Sequence, residues 1–166
     1  MHPGISIRFA DTEDINTIGF LAQQIWPATY SNILSAEQLS YMLNLFYSPS
    51  ALQKQMQEEQ HVFLMIEDDE TPVGFASYSL IGKDVYKLHK IYVSPGQQGK
   101  GLGKTIIDFI VNEIKPLNAT ALQLNVNRNN KAKNFYERLG FTVIKEEDID
   151  IGNNYFMNDY VMEKKI

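Results

Sequence analysis

The sequence predicts a mixed α/β protein built around one central sheet of about seven strands. Three observations carry that expectation. Segments that alternate apolar and polar residues recur along the chain, interleaved with segments whose apolar residues return every third or fourth position. The later half runs strand, helix, strand, helix, strand, an order that builds a sheet flanked by helices. The 166 residues, 44% hydrophobic and 21% charged, suffice for a single packed core, and no linker, repeat or low-complexity stretch divides them. Residues 1–166 are therefore read as one domain.

Ser6 to Ala10 alternates as a strand, and Asp11 to Asp14 then resembles an N-cap ahead of an apolar stripe of Ile15, Ile18, Leu21, Ala22 and Ile25. Pro27 is expected to end that helix, because proline lacks the N–H that a helix interior needs. Ser35 starts a second helix, with Gln38 at the capping-box position and Leu39, Met42, Leu43 and Phe46 on one face. Ser48-Pro49 opens a third, serine as cap and proline at the first helical position. Strands are expected at His61 to Glu67, Val73 to Ile81 and Val85 to Val93, the first two joined by a turn at Asp68-Asp69-Glu70-Thr71. After the turn Ser94-Pro95-Gly96 and a glycine-rich segment comes a helix with Leu102, Ile106, Ile107, Phe109, Ile110 and Ile114 inward. Ala121 to Val126 is a strand, Asn129 to Leu139 the last helix with Gly140 as its left-handed cap, and 141–150 and 155–163 are the closing strands.

With no cysteine, the chain has neither a disulfide framework nor a thiol nucleophile, so any acyl transfer cannot pass through an enzyme thioester. Residues 1–20 carry Arg8, Asp11, Glu13 and Asp14 in place of an apolar signal core, and no apolar run approaches the roughly 18 residues of a membrane span, so a cytoplasmic location is expected. The net charge of −5 is unevenly placed: between Lys83 and Arg138 ten Lys and Arg face four acids, a net +6, leaving −11 for the remainder. A basic middle inside an acidic chain suggests a local anion site and not the broad basic face of a nucleic-acid binder.

The segment Ile91-Tyr92-Val93-Ser94-Pro95-Gly96-Gln97-Gln98-Gly99-Lys100-Gly101-Leu102-Gly103-Lys104-Thr105 places glycines between a strand and a helix. Glycines permit close backbone approach, and amides at a helix N-terminus form an anion cradle, so phosphate is the expected guest. A Walker A loop ending Gly103-Lys104-Thr105 would need glycine where Gln98 stands, and a dinucleotide fingerprint would need glycine at Lys104 or Ile106; both readings fail.

What fits is Gln98-Gly99-Lys100-Gly101-Leu102-Gly103, which resembles the Q/R-x-x-G-x-G/A pyrophosphate loop of the GCN5-related N-acetyltransferase (GNAT) superfamily. Downstream, Asn129-Asn130-Lys131-Ala132-Lys133-Asn134-Phe135-Tyr136-Glu137-Arg138-Leu139-Gly140-Phe141 is similar to that family's N-x-x-A-x-x-x-Y-x-x-x-G-F segment. If residues 129–136 are helical, Asn129 and Tyr136 share a face two turns apart. The resemblance covers residues 60–163 best, and the layout from Ile25-Trp26-Pro27-Ala28-Thr29-Tyr30 to Tyr155-Phe156-Met157 also looks like the bacterial polyamine-acetylating branch.

The resemblance implies a mostly antiparallel acyltransferase sheet and direct acetyl transfer from acetyl-CoA, without a metal, to an amine on a small molecule or peptide. No nucleic acid or membrane partner is implied, and a homodimer is allowed. It further implies that Ile91, Tyr92 and Val93 lend backbone groups to the cofactor arm, that Gln98, Gly99, Lys100, Gly101, Leu102, Gly103 and Lys104 hold its pyrophosphate, and that Asn129 contacts it from the other side. Tyr136 would protonate the leaving thiolate. For the general base the family's strand acid is missing: Tyr86-Lys87-Leu88-His89-Lys90 offers His89, with a water chain, Asp148 or Asp150 as alternatives. Trp26, Tyr30, Tyr155 and Phe156 would wall the acceptor site. A CoA-binding module without catalysis is the competing reading.

Overall fold

A computed structural model of the chain describes residues 2–166. Among these residues the strands and α-helices follow in the order β1 (Ile5–Phe9), α1 (Ile15–Tyr30), α2 (Ala36–Tyr47), α3 (Pro49–Gln57), β2 (Val62–Asp68), β3 (Thr71–Gly82), β4 (Val85–Val93), α4 (Leu102–Ile114), β5 (Ala121–Asn127), α5 (Ala132–Arg138), β6 (Thr142–Gly152) and β7 (Tyr155–Lys165). The strands make one seven-stranded mixed sheet in the order β1-β2-β3-β4-β5-β7-β6. β4 and β5 are parallel, with Val85 beside Ala121 and Leu88 beside Leu124. The pairs β1/β2, β2/β3, β5/β7 and β6/β7 are antiparallel. The expected strands are thus all present.

The chain divides into two compact units. The first comprises the residues up to Ser79 together with Lys90–Asp108; the second comprises Leu80–His89 and Phe109–Ile166.

In the first unit, Phe63, Leu64, Met65 and Ile66 of β2 and Phe75 and Ala76 of β3 are fully buried, as are Ile18, Ala22 and Ile25 of α1. A buried side chain of this size contributes roughly 1.5–3 kcal/mol, so this run of apolar residues is the main stabilising term here. The β2–β3 turn has both Asp69 (φ 47) and Glu70 (φ 69) in the left-handed region, as a two-residue hairpin of matching twist demands. Ahead of α1, Asp11 caps a short 3-10 turn and accepts from the Glu13 N–H, while the Asp14 carboxylate accepts from the Asp11 N–H. The Arg8 guanidinium bonded to Asp14 at 2.8 Å holds that carboxyl below its ordinary range.

Pro27 does not end the first helix; α1 continues to Tyr30. The carbonyl that proline leaves without a partner belongs to Gln23, which is exposed like Pro27 itself, so water can take the lost hydrogen bond. One turn on, the helix resumes its own bonding, the Ser31 N–H donating to the Pro27 carbonyl at 3.1 Å. Ser35 and Ser48 cap α2 and α3 as expected, their hydroxyls accepting from the Gln38 and Ala51 N–H groups. The Gln38 amide itself points along the helix to the Met42 sulfur at 3.8 Å.

In the second unit, Leu122, Leu124 and Val126 of β5 are buried on one face, with Val161 and Met162 of β7 also buried. Gln123, Asn125 and Asn127 take the other face and are half-buried. The last helix is shorter than its sequence suggests: α5 starts at Ala132, not Asn129. Asparagine side chains imitate backbone turns and compete with the helix. Here the Asn127 Oδ1 accepts from the Asn129 N–H, and the Asn130 Oδ1 accepts from the Ala132 N–H, each at 2.9 Å. Asn129 therefore lies in the turn, and the shared helical face with Tyr136 does not form. Gly140 closes α5 at φ +96, its N–H donating to the Glu137 carbonyl at 3.0 Å. Phe109, expected inward on α4, is only half-buried.

Candidate functional site

The first unit carries the end of β4 and the glycine loop. The Ser94 N–H donates to the Val73 carbonyl at 2.8 Å, and 3-10 residues Pro95–Gln97 follow. A Cβ on Gly74 of β3 would stand 2.6 Å from the Tyr92 carbonyl oxygen, so glycine there lets β3 approach the Tyr92-Val93 backbone. Ile91, Tyr92 and Val93 are half-buried. The Gln97 and Gln98 N–H groups are spent on the Ser94 and Pro95 carbonyls, at 2.8 and 3.3 Å, so the Gln98 amide expected to hold pyrophosphate is already engaged. Gly99 (φ +82) and Gly101 (φ +73) turn the loop through backbone that L side chains rarely adopt, with nothing within 4 Å of where a Cβ would stand. The first helical bond runs from the Thr105 N–H to the Gly101 carbonyl, so the amides of Leu102, Gly103 and Lys104 precede the helix's own bonding. A turn open on its outer side and followed by such amides suits a polyanion. Gln98, Lys100 and Lys104 are exposed; Lys100 donates to the Gln97 side chain at 3.0 Å, and Lys104 forms a 2.6 Å ion pair with Asp108 that the sequence reading did not foresee.

Also in the first unit, Trp26 packs against Tyr30 (4.8 Å between ring centroids), Tyr47 (5.4 Å) and Tyr92 (5.7 Å), and the Tyr30 and Tyr92 hydroxyls hydrogen-bond at 2.8 Å. The structure thus brings the expected Trp26 and Tyr30 onto the β4 residue Tyr92. The Trp26 indole N–H is buried with no hydrogen-bond partner. Beneath lies Lys90, only 8% exposed, its ammonium 5.2 Å from the Tyr47 ring and 5.8 Å from the Phe63 ring. Burial among rings pushes this lysine down to about 8, with Glu59 pulling weakly the other way. A signal was available: Lys90 stands between Leu88 and Tyr92 at alternate positions of a strand, where an apolar residue would be ordinary.

The second unit holds His89, Asn129, Tyr136 and Tyr155. His89 is half-buried on β4, two residues along from Lys87 and on the same face. Tyr136 is 9% exposed, its ring against Phe135 (5.3 Å) and Phe141 (5.8 Å). Asn129 is exposed in its turn, Tyr155 half-buried at the start of β7, and Phe156 45% exposed. Of the alternative bases, Asp148 pairs with the Arg128 guanidinium, and Asp150 accepts from the Gly152 N–H at 2.8 Å.

The sequence reading passed over a polar network on the β4-β5-β7-β6 part of the sheet. Asp159 is 6% exposed, and the Asn125 amide nitrogen lies 3.2 Å from its carboxylate and 3.4 Å from that of Glu147. Burial pushes the Asp159 carboxyl up, against the pull of Asn125 and Lys87, and burial pushes the Lys87 ammonium down. One signal was available: Asp159 is a lone acid between Met157 and Val161 at alternate positions of a strand, where an apolar residue would be ordinary. Among the described residues, no group of three or more His, Cys, Asp or Glu is placed to hold a metal ion, and no helix is long and apolar enough to cross a membrane.

Comparison with known proteins identifies the family. Residues 31–158 match the family model described as Acetyltransferase (GNAT) domain. The chain is 30% identical over 166 residues, 97% of each chain, to a spermidine N(1)-acetyltransferase of Thermoplasma acidophilum. It is 25% identical over 82% of its length and 87% of the relative's to a [ribosomal protein bS18]-alanine N-acetyltransferase of Haemophilus influenzae. The crystal structure of a PaiA N-acetyltransferase from Thermoplasma acidophilum in complex with coenzyme A superposes with a TM-score of 0.83 at 29% identity, over 98% of this chain and 99% of that one. The chain belongs to the GNAT acetyltransferase family. It is an acetyl-CoA-dependent N-acetyltransferase.

Proposed function

We propose that the acceptor is a primary amine of a small polyamine-like molecule, acetylated directly by this chain acting as one catalytic domain in the cytoplasm. The observation that carries the reading is the end-to-end similarity to the spermidine acetyltransferase, 97% of each chain, and the −11 charge outside residues 83–138 favours a cationic acceptor. A peptide amine is the second reading, favoured by the similarity to the bS18-alanine acetyltransferase. No nucleic acid or membrane partner enters the proposal, and homodimerisation is compatible with it.

Acetyl-CoA supplies the activated thioester. The amides of Gly99 to Lys104 hold its pyrophosphate, with the Gln98 side chain beside them and Lys100 and Lys104 adding charge; the open left-handed turn at Gly99 and Gly101 supports this assignment. The backbone of Ile91, Tyr92 and Val93 orients the acyl arm, and Asn129 touches it from the turn before α5. Tyr136 gives its proton to the departing sulfur: a phenol near pKa 10 and a thiol near 8.5 make the transfer mildly uphill, so placement decides its usefulness. His89 accepts a proton on the amine side. Trp26, Tyr30 and Tyr155 wall the acceptor.

The test is coenzyme A thiol release from acetyl-CoA with a panel of a polyamine, simple monoamines and an N-terminal alanine peptide. The polyamine is expected to give the highest kcat/KM. Release with the peptide alone overturns the polyamine reading, and amine-independent release or none with any amine leaves a CoA-binding module. Acetyl-CoA should also raise Tm by binding the folded state.

A further inference from the structure

An amine reaches this enzyme at neutral pH as an ammonium, R–NH3+, and becomes an amide with one N–H. Two protons therefore leave nitrogen: one ends on the coenzyme A sulfur and the other must go to water. β4 offers Lys87 and His89 on the face in question, and no carboxylate. On the acetyl transfer assigned above, in which His89 takes the second proton, lost by nitrogen once it has attacked the carbonyl and passed on toward the sulfur, we propose that Asp159 of β7, held by Asn125, binds the incoming ammonium and takes the first proton, the one that leaves to water. In that step an N–H bond breaks, an O–H bond forms on the Asp159 carboxylate, and the electron pair stays on nitrogen as the nucleophile. The carboxylic acid then returns the proton to solvent.

The geometry is specific to these residues. The parallel pairing of β4 and β5 ends at Leu88 and Leu124, so His89 and Asn125 each follow directly after its last pair. Asn125 donates to Asp159 at 3.2 Å and to Glu147 at 3.4 Å, but its own Oδ1 is buried without a partner. Buried acceptors are rarely left unmet, and an ammonium, with three donors, can satisfy this oxygen and a carboxylate together. Every charged neighbour of Asp159 is accounted for. Lys87 faces it from β4 without an ion pair within 4 Å, and Glu147 faces it from β6, neutralised by Lys145 at 2.7 Å. Arg128, in the turn after β5, donates to the Asp159 backbone carbonyl at 3.3 Å, and its charge, which favours the Asp159 carboxylate, is itself paired with Asp148 and Glu146. The surroundings are thus close to neutral, which suits a group that must gain and lose a proton more than a fixed anchor for a polycation. Burial, which raises the Asp159 carboxyl, narrows its gap to an alkylammonium near pKa 10.4.

The test compares Asp159→Asn with the wild type on two acceptors at pH 7: an ordinary alkylamine, which is protonated, and a fluorinated alkylamine, which is neutral. kcat/KM should fall about tenfold or more for the protonated amine and less than about twofold for the neutral one, an effect of the size general-base groups provide. Equal loss on both, or no loss on either, overturns the role. Acetyl-CoA should still raise the Tm of the variant. If Asp159→Asn does not fold, Asn125→Ala carries the test: stripping the carboxylate of its donor should move the acid limb of kcat/KM up by about one pH unit, and an unmoved limb overturns the proposal. A wild type that releases no thiol with any amine overturns acetyl transfer and this role together; an active wild type whose preference between the two amines is unchanged in Asp159→Asn overturns only Asp159.

Discussion

The two units treat a buried charge in opposite ways. In the first, Lys90 is enclosed by the rings of Tyr47 and Phe63, so desolvation is answered only by the pull of Glu59 and the ammonium is pushed down to about 8. In the second, Asp159 is just as buried but sits on the Asn125 amide with Lys87 opposite, so its desolvation is partly offset. Cation–π contact is worth about 0.5–2 kcal/mol, well short of the cost of removing an ammonium from water. A hydrogen-bonded network keeps a group titratable and usable; a wall of rings makes one that only weakens the fold.

Three substitutions would break or sharpen that contrast. The largest effect is expected in the second unit: Tyr136→Phe keeps the ring among Phe135 and Phe141 but removes the hydroxyl, so kcat should fall about 10²- to 10⁴-fold while the acetyl-CoA-induced rise in Tm is retained. Equal loss of cofactor stabilisation would make Tyr136 a packing residue. Next comes Lys90→Met, which keeps the volume and drops the charge. Lys90 has its pKa lowered in the folded state, so below pH 8 both states hold the proton and the full penalty applies. Between about 8 and 10.5 the unfolded chain binds more protons, stability rises with pH, and above that window the penalty is gone. The variant should therefore gain up to about 3 kcal/mol at pH 7 and lose the lysine's share of that rise, read by urea unfolding across the window, with kcat little changed. A variant no more stable than the wild type would show that the rings hold the ammonium better than argued here. The smallest effect belongs to an exposed pair: Asp108→Asn frees Lys104 from its 2.6 Å partner, and KM for acetyl-CoA should fall about twofold at low salt and not at high salt.

Much of the fold was legible because its signals are local. Ser35 and Ser48 cap helices, Gly140 takes a left-handed cap, Asp69-Glu70 turns a hairpin, and alternation marks strands such as β5, while β2 shows as an unbroken apolar run, all without knowledge of distant contacts. The misreadings arose where a local rule had a competitor. Pro27 would stop a helix whose freed carbonyl is buried, but Gln23 faces water; a helical run from Asn129 would need asparagines that do not bond their own backbone, but Asn127 and Asn130 do. Of the candidate site, the loop at Gly99 and Gly101 could be read from spacing, and the meeting of Trp26 and Tyr30 with Tyr92 could not, since those residues lie more than sixty positions apart.

The strands, the caps and the glycine turn at Gly99 and Gly101 follow from the residues alone, because backbone conformation and side-chain periodicity are set within a few residues. Only the tertiary structure decided that Lys90 is shut among rings and that Asp159 meets Asn125, Glu147 and Lys87. Burial and the company of other charges set a group's solvation and its proton affinity, and both come from strands that the chain brings together only on folding.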